Sequence, residues 1–140
     1  MRIATQAVAH APRDTVMERI LDEEALTARV RARGIEVEKI GPDAWIVRHT
    51  LMGIRRETRA RLVERAPDRL RIETDTKGIT SRTEVRLSPD GAGTRIETDT
   101  QVEATGIAAR LALKALQPAR AEIERRVQAG VRTFAADFGG

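Results

Sequence analysis

The chain has 140 residues, of which 41% are hydrophobic and 33% charged, which is typical of one globular domain and excludes a disordered chain. It contains no cysteine, which excludes disulfides and thiolate chemistry and agrees with a cytoplasmic location. A pI of about 10.5 invites a nucleic-acid hypothesis, but the 25 basic residues are interleaved with 21 acidic ones, for a net charge of +4. We therefore interpret the charges as a solvated surface and do not expect a nucleic-acid partner.

The sequence carries no targeting or membrane-spanning pattern. Its first ten residues, MRIATQAVAH, lack the apolar stretch of a secretory signal. No apolar run approaches the ~18 residues that cross a bilayer as a helix. We expect one soluble domain over residues 1–140 with no membrane span.

Two short helices are predicted after a first strand at residues 2–10. Pro12 lies where a helix can begin, because its missing N–H costs nothing in the first turn. This helix is expected from Arg13 to about Leu21. A second short helix follows to about Arg33, with Gly34 as its C-cap.

From residue 35 to 104 the apolar period changes to two, which predicts strands near 35–40, 44–52, 54–65, 69–76, 79–88 and 94–104. Short turns join them, so neighbours should pair antiparallel. One face of the last three strands is entirely charged: Arg69, Arg71, Glu73, Asp75, Arg82, Glu84, Arg86, Arg95, Glu97 and Asp99. The opposite face carries apolar and hydroxyl residues, which indicates one wet face and one covered face.

A long C-terminal helix over residues 107–138 is the element left to cover this sheet. Two apolar stripes run along it, the first with Ile107, Leu111, Ala115 and Leu116, the second with Ile123, Val127, Val131, Phe134 and Phe138. Pro118 either kinks one helix or begins a second. The predicted fold is α+β of the helix-grip kind: a curved seven-stranded antiparallel sheet wrapped around a long C-terminal helix, with two short helices after the first strand.

Three short motifs carry a resemblance to a known family. Residues 11–16 are APRDTV, residues 21–24 are LDEE and residues 90–95 are DGAGTR. In this order of elements they resemble the START-like superfamily, also called SRPBCC, which includes polyketide cyclase-like and coenzyme Q-binding-like proteins. Its members have Ala-Pro-x-x-x-Val at the first helix, Leu-Asp-Pro-Glu after it and Gly-x-Gly-Thr-Arg before the last strand. Here Glu23 replaces the usual proline, and Met17 stands where many members have tryptophan.

The resemblance implies a deep, mostly apolar cavity between sheet and helix, with a small hydrophobic molecule as the partner. Members bind lipids, quinones, polyketides or plant hormones, and some are cyclases or dehydratases, so membership does not select one chemistry. Aromatic residues are only 2% of this chain. A cavity lined by Leu, Ile, Val, Met and Thr would suit an aliphatic or isoprenoid-like ligand.

His49 and Arg56 are the candidates for polar chemistry inside such a cavity. If the face of strand 44–52 that carries Trp45 and His49 points inward, His49 is a general base or a hydrogen-bonding group for a ligand. If the strand is flipped, Arg48 points inward instead. A structural histidine is the alternative. Arg56 either meets a ligand carboxylate as a bidentate donor or extends to solvent at the end of the sheet.

Hydroxyl side chains are frequent on the predicted covered face: Thr74, Thr76, Ser81, Thr83, Thr98 and Thr100. A purely structural core prefers Val, Ile and Leu. Buried hydroxyls need partners, which water or the polar group of a ligand would supply; the alternative is the strand propensity of threonine alone. The candidate binding residues are therefore His49, Arg56, Thr74, Thr83, Thr98, Thr100, Ile123, Val127 and Val131.

No pattern indicates a cofactor, a metal site or a catalytic set. The chain has no Cys and two His, and Gly91 and Gly93 lie in a hairpin, where they do not form a phosphate-binding loop. The leading hypothesis is binding or carrying of a small hydrophobic ligand (a lipid, a quinone or a polyketide-like molecule). The alternatives are a cyclase- or dehydratase-type enzyme that uses a cavity-facing His49, and a protein-partner module without a cavity. Whether the protein is a homodimer is left open.

Overall fold

A computed structural model describes residues 1–51 and 53–138. The strands are β1 (Arg2–Ala9), β2 (Glu36–Gly41), β3 (Ala44–Leu51), β4 (Ile54–Ala66), β5 (Arg69–Thr76), β6 (Ile79–Asp90) and β7 (Gly93–Ala104). The helices are α1 (Arg13–Ile20), α2 (Glu23–Arg31), α3 (Ile107–Leu116) and α4 (Arg120–Ala136). This is the predicted helix-grip architecture. One 3₁₀ turn, Gln117–Ala119, joins α3 to α4, so Pro118 breaks the C-terminal helix in two.

The strands form one antiparallel sheet in the order β1-β7-β6-β5-β4-β3-β2. From β2 to β7 each strand pairs with the next in the chain, and β1 pairs with β7. Directly paired residues share a face of the sheet. Thr98 pairs with Thr5 on one side and Val85 on the other, and Val85 pairs with Leu70. This row lies on the inner face, because Leu70 is 1% exposed.

The charged face predicted from the alternation is the outer face of the sheet. Arg61 and Arg82 lie 3.2 and 3.8 Å from the carboxylate of Glu73 on the strand between them. At the far edge, Arg2 binds Asp99 at 2.6 Å. Such exposed pairs contribute from nothing to about 1 kcal/mol each. Their alternating signs nevertheless favour the observed register over a slipped one.

Local motifs shape both ends of α2. Asp22 of the LDEE motif is its N-cap, because the side chain accepts a hydrogen bond of 3.1 Å from the Ala25 amide. At the other end, Gly34 has a φ of 79°. The amides of Gly34 and Ile35 donate to the carbonyls of Arg31 and Val30. This is the glycine-terminated helix end predicted from the sequence.

The hydrophobic core lies where α1 and the end of α4 meet β1, β5, β6 and β7. Its buried members are Ala9, Ala11, Val16, Met17, Leu70, Leu87, Ile96 and Ala135. Met17, at the position where the related family often has tryptophan, is 7% exposed. Met17 therefore belongs to the core cluster through which α1 packs against the sheet.

Helix α4 runs along the free edge of β1. The side-chain amide of Gln128 donates to the Gln6 carbonyl at 2.7 Å, and its oxygen accepts from the Gln6 amide at 3.2 Å. Arg120 donates to the Arg2 carbonyl at 3.0 Å. These contacts satisfy edge groups that would otherwise be open to pairing with another chain. Among the described residues, no helix is long and apolar enough to cross a membrane.

The apolar stripe of helix α3 differs from the sequence prediction. It was predicted to be covered, but Ile107 is 79% and Leu111 64% exposed, while Ala109 is buried. The cause is the turn before β6: a methyl group at Gly78 would lie only 3.2 Å from Cβ of Ala109. Ala109 therefore packs closely against this turn, and Ile107 and Leu111 point outward, while Leu113 and Leu116 are half-buried.

Candidate functional site

A cavity of about 350 Å³ lies between the two short helices, the inner face of β6 and β7, and α4. This volume falls within the range of roughly 300–1,000 Å³ that small-molecule sites occupy. Its lining comes from all three walls: Arg19, Ile20, Ala25, Leu26, Arg29, Val30, Arg33, Val85, Ile96, Thr98, Val127, Gly130, Val131 and Phe134. Most of these side chains are apolar, and the cavity is open to solvent on one side.

The wall formed by α4 has a gap in its middle. Val127, Val131 and Phe134 lie on one side of the helix at helical spacing, and Gly130 lies between them. A Cβ atom added at Gly130 would have no atom within 4 Å. The missing side chain therefore accounts for part of the open space. Glycine inside a helix lowers the free energy of unfolding by about 1 kcal/mol relative to alanine.

Arginines stand at the border of the cavity beside two phenylalanines. The rings of Phe134 and Phe138 meet edge to face with centroids 5.4 Å apart. The guanidinium of Arg29 lies 5.7 Å from the Phe134 ring centroid and binds Asp137 at 2.5 Å. That of Arg19 lies 5.6 Å from the Phe138 centroid. These contacts join α1 and α2 to the end of α4 and hold the positive groups in place.

His49 lies on the inner face of the sheet but outside this cavity, because β4 and β5 separate its strand from β6. Its Nε2 atom is 2.7 Å from the Thr58 hydroxyl, which is 2.7 Å from the Thr76 hydroxyl. Partial burial, followed by the positive charges of Arg55 and Arg56, holds the pKa of His49 below its ordinary value of 6.5. The ring is therefore neutral near pH 7 and ends a chain of hydrogen bonds across three strands.

The hydroxyl groups of the inner face are partners for one another. Thr5 and Thr98 are 2.5 Å apart, Thr74 and Ser81 are 2.5 Å apart, and Thr83 and Thr100 are 2.9 Å apart. Each pair joins residues directly opposite on neighbouring strands. Each of these hydroxyls thus has one hydrogen-bond partner within the sheet. In each pair one hydroxyl hydrogen is left over, because the bond within the pair uses only one of the two.

The structure brings together only part of the candidate set predicted from the sequence. Thr98, Val127 and Val131 line the cavity. The candidates outside its lining are His49, Arg56, Thr74, Thr83, Thr100 and Ile123. The candidate set did not name Leu26 and Val30 of α2, or Gly130 of α4, which also line the cavity. A signal for Gly130 was present, since glycine within a helical apolar stripe costs stability and calls for a reason.

The sequence profile of a family described as polyketide cyclase / dehydrase and lipid transport matches residues 1–139. The chain belongs to this family. The match spans all seven strands and all four helices of the fold. It confirms the START-like resemblance carried by the three short motifs. A search of curated proteins found no match to the chain.

Solved structures of this family's fold resemble the chain over nearly its whole length. TTHA0849 from Thermus thermophilus has a TM-score of 0.66 at 17% identity, with 100% of each chain covered. CV1439 from Chromobacterium violaceum has a TM-score of 0.65 at 18% identity, covering 97% of this chain and 96% of that one. A START superfamily protein from Mycobacterium smegmatis has a TM-score of 0.59 at 14% identity, covering 91% and 97%. At these identities the likeness establishes the fold.

The lowered pKa of His49 predicts a pH dependence of stability. Because the folded state binds this proton less tightly than the unfolded state, the stability is fully present above pH 6.5 and is lost as the pH falls through the folded-state pKa. The unfolding free energy should therefore decrease between about pH 7.5 and pH 5.5. We expect His49→Gln to flatten this dependence and His10→Gln, at an exposed strand end, to retain it. Urea unfolding at the two pH values measures the slopes, and an unchanged slope in His49→Gln would contradict the assignment.

Proposed function

We propose that this protein binds and carries a small hydrophobic ligand (a lipid, a quinone or a polyketide-like molecule) in the cavity between α2, the sheet and α4. The proposal treats residues 1–140 as one binding unit. A cytoplasmic setting remains a prediction that rests on the absence of cysteine.

The observation that carries the proposal is the open apolar space of about 350 Å³ inside the fold. Valine, isoleucine and leucine from five different elements line it, and Gly130 leaves room where a side chain would otherwise fill it. Burial of a ligand there would release about 25 cal/mol per Å² of apolar surface. The family description, which includes lipid transport, supports the same conclusion. The modest volume favours one aliphatic or isoprenoid chain over a bulky ligand.

Thermal unfolding with a ligand panel tests the proposal. The panel contains fatty acids, isoprenoid quinones, polyketide-like aromatics and sterols. A ligand that binds only the folded protein stabilises it by about 2.7 kcal/mol at 100 times its Kd. The unfolding midpoint should then rise by several degrees.

The matched control is a shorter-chain member of each class with the same polar group. Because each buried methylene contributes about 0.8 kcal/mol, the shorter compound should give the smaller shift. If no class raises the midpoint, the carrier function is wrong. A shift that does not depend on chain length would show that the apolar cavity is not the site.

A second candidate function is proton transfer of the cyclase or dehydratase type. The neutral imidazole of His49, bonded to Thr58 on the inner face, is the observation that favours it. Its position outside the apolar cavity and the absence of an acidic partner within the described hydrogen-bond chain favour the carrier function. Assaying a poly-β-ketone with the wild type and His49→Gln separates the two, because only the enzyme loses turnover in the variant.

A further inference from the structure

We propose that the ligand of the cavity is an amphipathic anion, an aliphatic chain with a carboxylate or a phosphate monoester at one end. This inference rests on the proposed carrier function and adds the chemistry of the ligand's polar group. The observation behind it is the charge of the lining. Arg19, Arg29 and Arg33 line the cavity together with apolar residues, and no acidic residue of the described chain lines it.

Two other depressions of the molecule carry charges of both signs. The depression on the outer face across β4 and β5 has Arg59 beside Glu73 and Asp75. The depression near β1 and β7 has Arg2 beside Asp99. Those surfaces are neutralised by their own ion pairs and would hold an added anion weakly. In contrast, the cavity joins an apolar interior to a positive border.

The individual contacts show which charges remain available. The positive charge of Arg29 is offset by the carboxylate of Asp137, which lies 2.5 Å away. Arg19 packs against the ring of Phe138 at 5.6 Å, a contact that orients the guanidinium without neutralising it. Arg33 follows α2 and is exposed. Neither Arg19 nor Arg33 forms an ion pair with a carboxylate among residues 1–51 and 53–138.

Guanidinium groups bind carboxylates and phosphates through paired, charge-assisted hydrogen bonds. A ligand whose chain fills the apolar space places its end group at the border, where these two arginines stand. A neutral ligand of the same length would leave them without a partner. The cavity therefore selects for a negative end group as well as for an apolar chain.

Calorimetric titration of the full chain with three ligands of equal chain length tests this inference. Dodecanoate, dodecyl phosphate and dodecanol are used at about pH 7.5, in low salt and below their micelle-forming concentrations. We expect at least one of the two anions to bind about tenfold more tightly than the alcohol, from exposed charge pairs with the two available arginines. Apolar burial alone predicts the opposite order, because the alcohol is the more hydrophobic ligand. About 0.5 M NaCl should remove most of the difference.

Two variants locate the effect. The double variant Arg19→Gln and Arg33→Gln should lower the ratio of anion affinity to alcohol affinity about tenfold, to near one. Arg31→Gln is the single-charge control: it removes one positive charge at the end of α2, outside the lining, and the ratio should stay as in the wild type. An equal fall in Arg31→Gln would mean that net charge, and not the cavity border, sets the preference.

The outcomes separate this inference from the carrier function. If the alcohol binds as tightly as both anions, the inference is overturned and the carrier function stands. If none of the three binds while another panel class stabilises the protein, the anionic chain is again excluded. If neither these ligands nor the panel binds, both proposals fail. Comparing the two anions distinguishes a carboxylate from a phosphate ligand.

Discussion

Replacing Gly93 by alanine should destabilise the protein by about 2–4 kcal/mol, because the new methyl group has no room. A Cβ atom at this position would collide with the backbone carbonyl oxygen of Ala9. Ala9 is fully buried and belongs to the last pair of the β1–β7 ladder, opposite Thr94. The strands would have to separate where the core cluster begins. Urea unfolding measures the loss, and the melting temperature should fall by on the order of ten degrees.

The control for this prediction is Gly91→Ala, two residues earlier in the same hairpin. Gly91 has a φ of 58° and no atom within 4 Å of an added Cβ. Alanine at position 91 should lower the stability by only about 1 kcal/mol, because its backbone would have to adopt the left-handed conformation. Gly93→Ala should therefore be clearly the more damaging change. Equal losses in the two variants would exclude the close approach of β1 as the reason for glycine at position 93.

The DGAGTR motif was predictable from the sequence because each of its contacts is local or backbone-directed. Beyond the two glycines, Thr94 is 1% exposed and donates a 2.8 Å hydrogen bond to the Ala11 carbonyl. Arg95 forms two hydrogen bonds to Asp90 across the hairpin, at 2.8 and 3.2 Å. The motif thus ties the last hairpin to the chain segment that begins α1. This explains why a short pattern indicated a whole fold.

The sequence also predicted which residues share a face of each strand, because the side-chain period of a strand is two. The pairing of the hydroxyl groups across strands could not be predicted from the sequence. Thr83 and Thr100 lie directly opposite only in the observed register, and periodicity within one strand carries no information about the neighbouring strand. The sequence left water, a polar ligand group and strand propensity as alternative explanations of these hydroxyls, and the structure pairs them across neighbouring strands.

The location of the cavity depends on tertiary packing that no local pattern encodes. His49 and Val131 both lie on inner surfaces, but α4 follows the edge strand β1 through Gln128. This places Val131 over β6 and β7, with His49 on the far half of the sheet. The packing of α3 through Ala109 also depends on tertiary structure, because Ala109 lies against Gly78 in the turn before β6.

Filling the gap in α4 should weaken ligand binding and stabilise the ligand-free protein. In the series Gly130→Ala, Gly130→Leu and Gly130→Phe, each larger side chain occupies more of the space that Gly130 leaves open. A ligand must displace a phenylalanine that gains about 2–3 kcal/mol from burial, so its Kd should rise by tens to about a hundredfold. Gly130→Ala should be more stable than the wild type by about 1 kcal/mol, because glycine disfavours the helix. The two larger side chains should add a gain from burial.

This series is decisive because ligand affinity and stability should change in opposite directions. A variant that merely damages the fold loses binding and stability together, whereas a filled cavity loses binding in proportion to the added volume and gains stability. Titration with the best panel ligand and urea unfolding of the same preparations give both quantities. If Gly130→Phe bound ligand as tightly as the wild type, the space beside α4 would not be the binding site. If all three variants lost binding equally, helix flexibility at position 130, and not occupied volume, would be what the ligand requires.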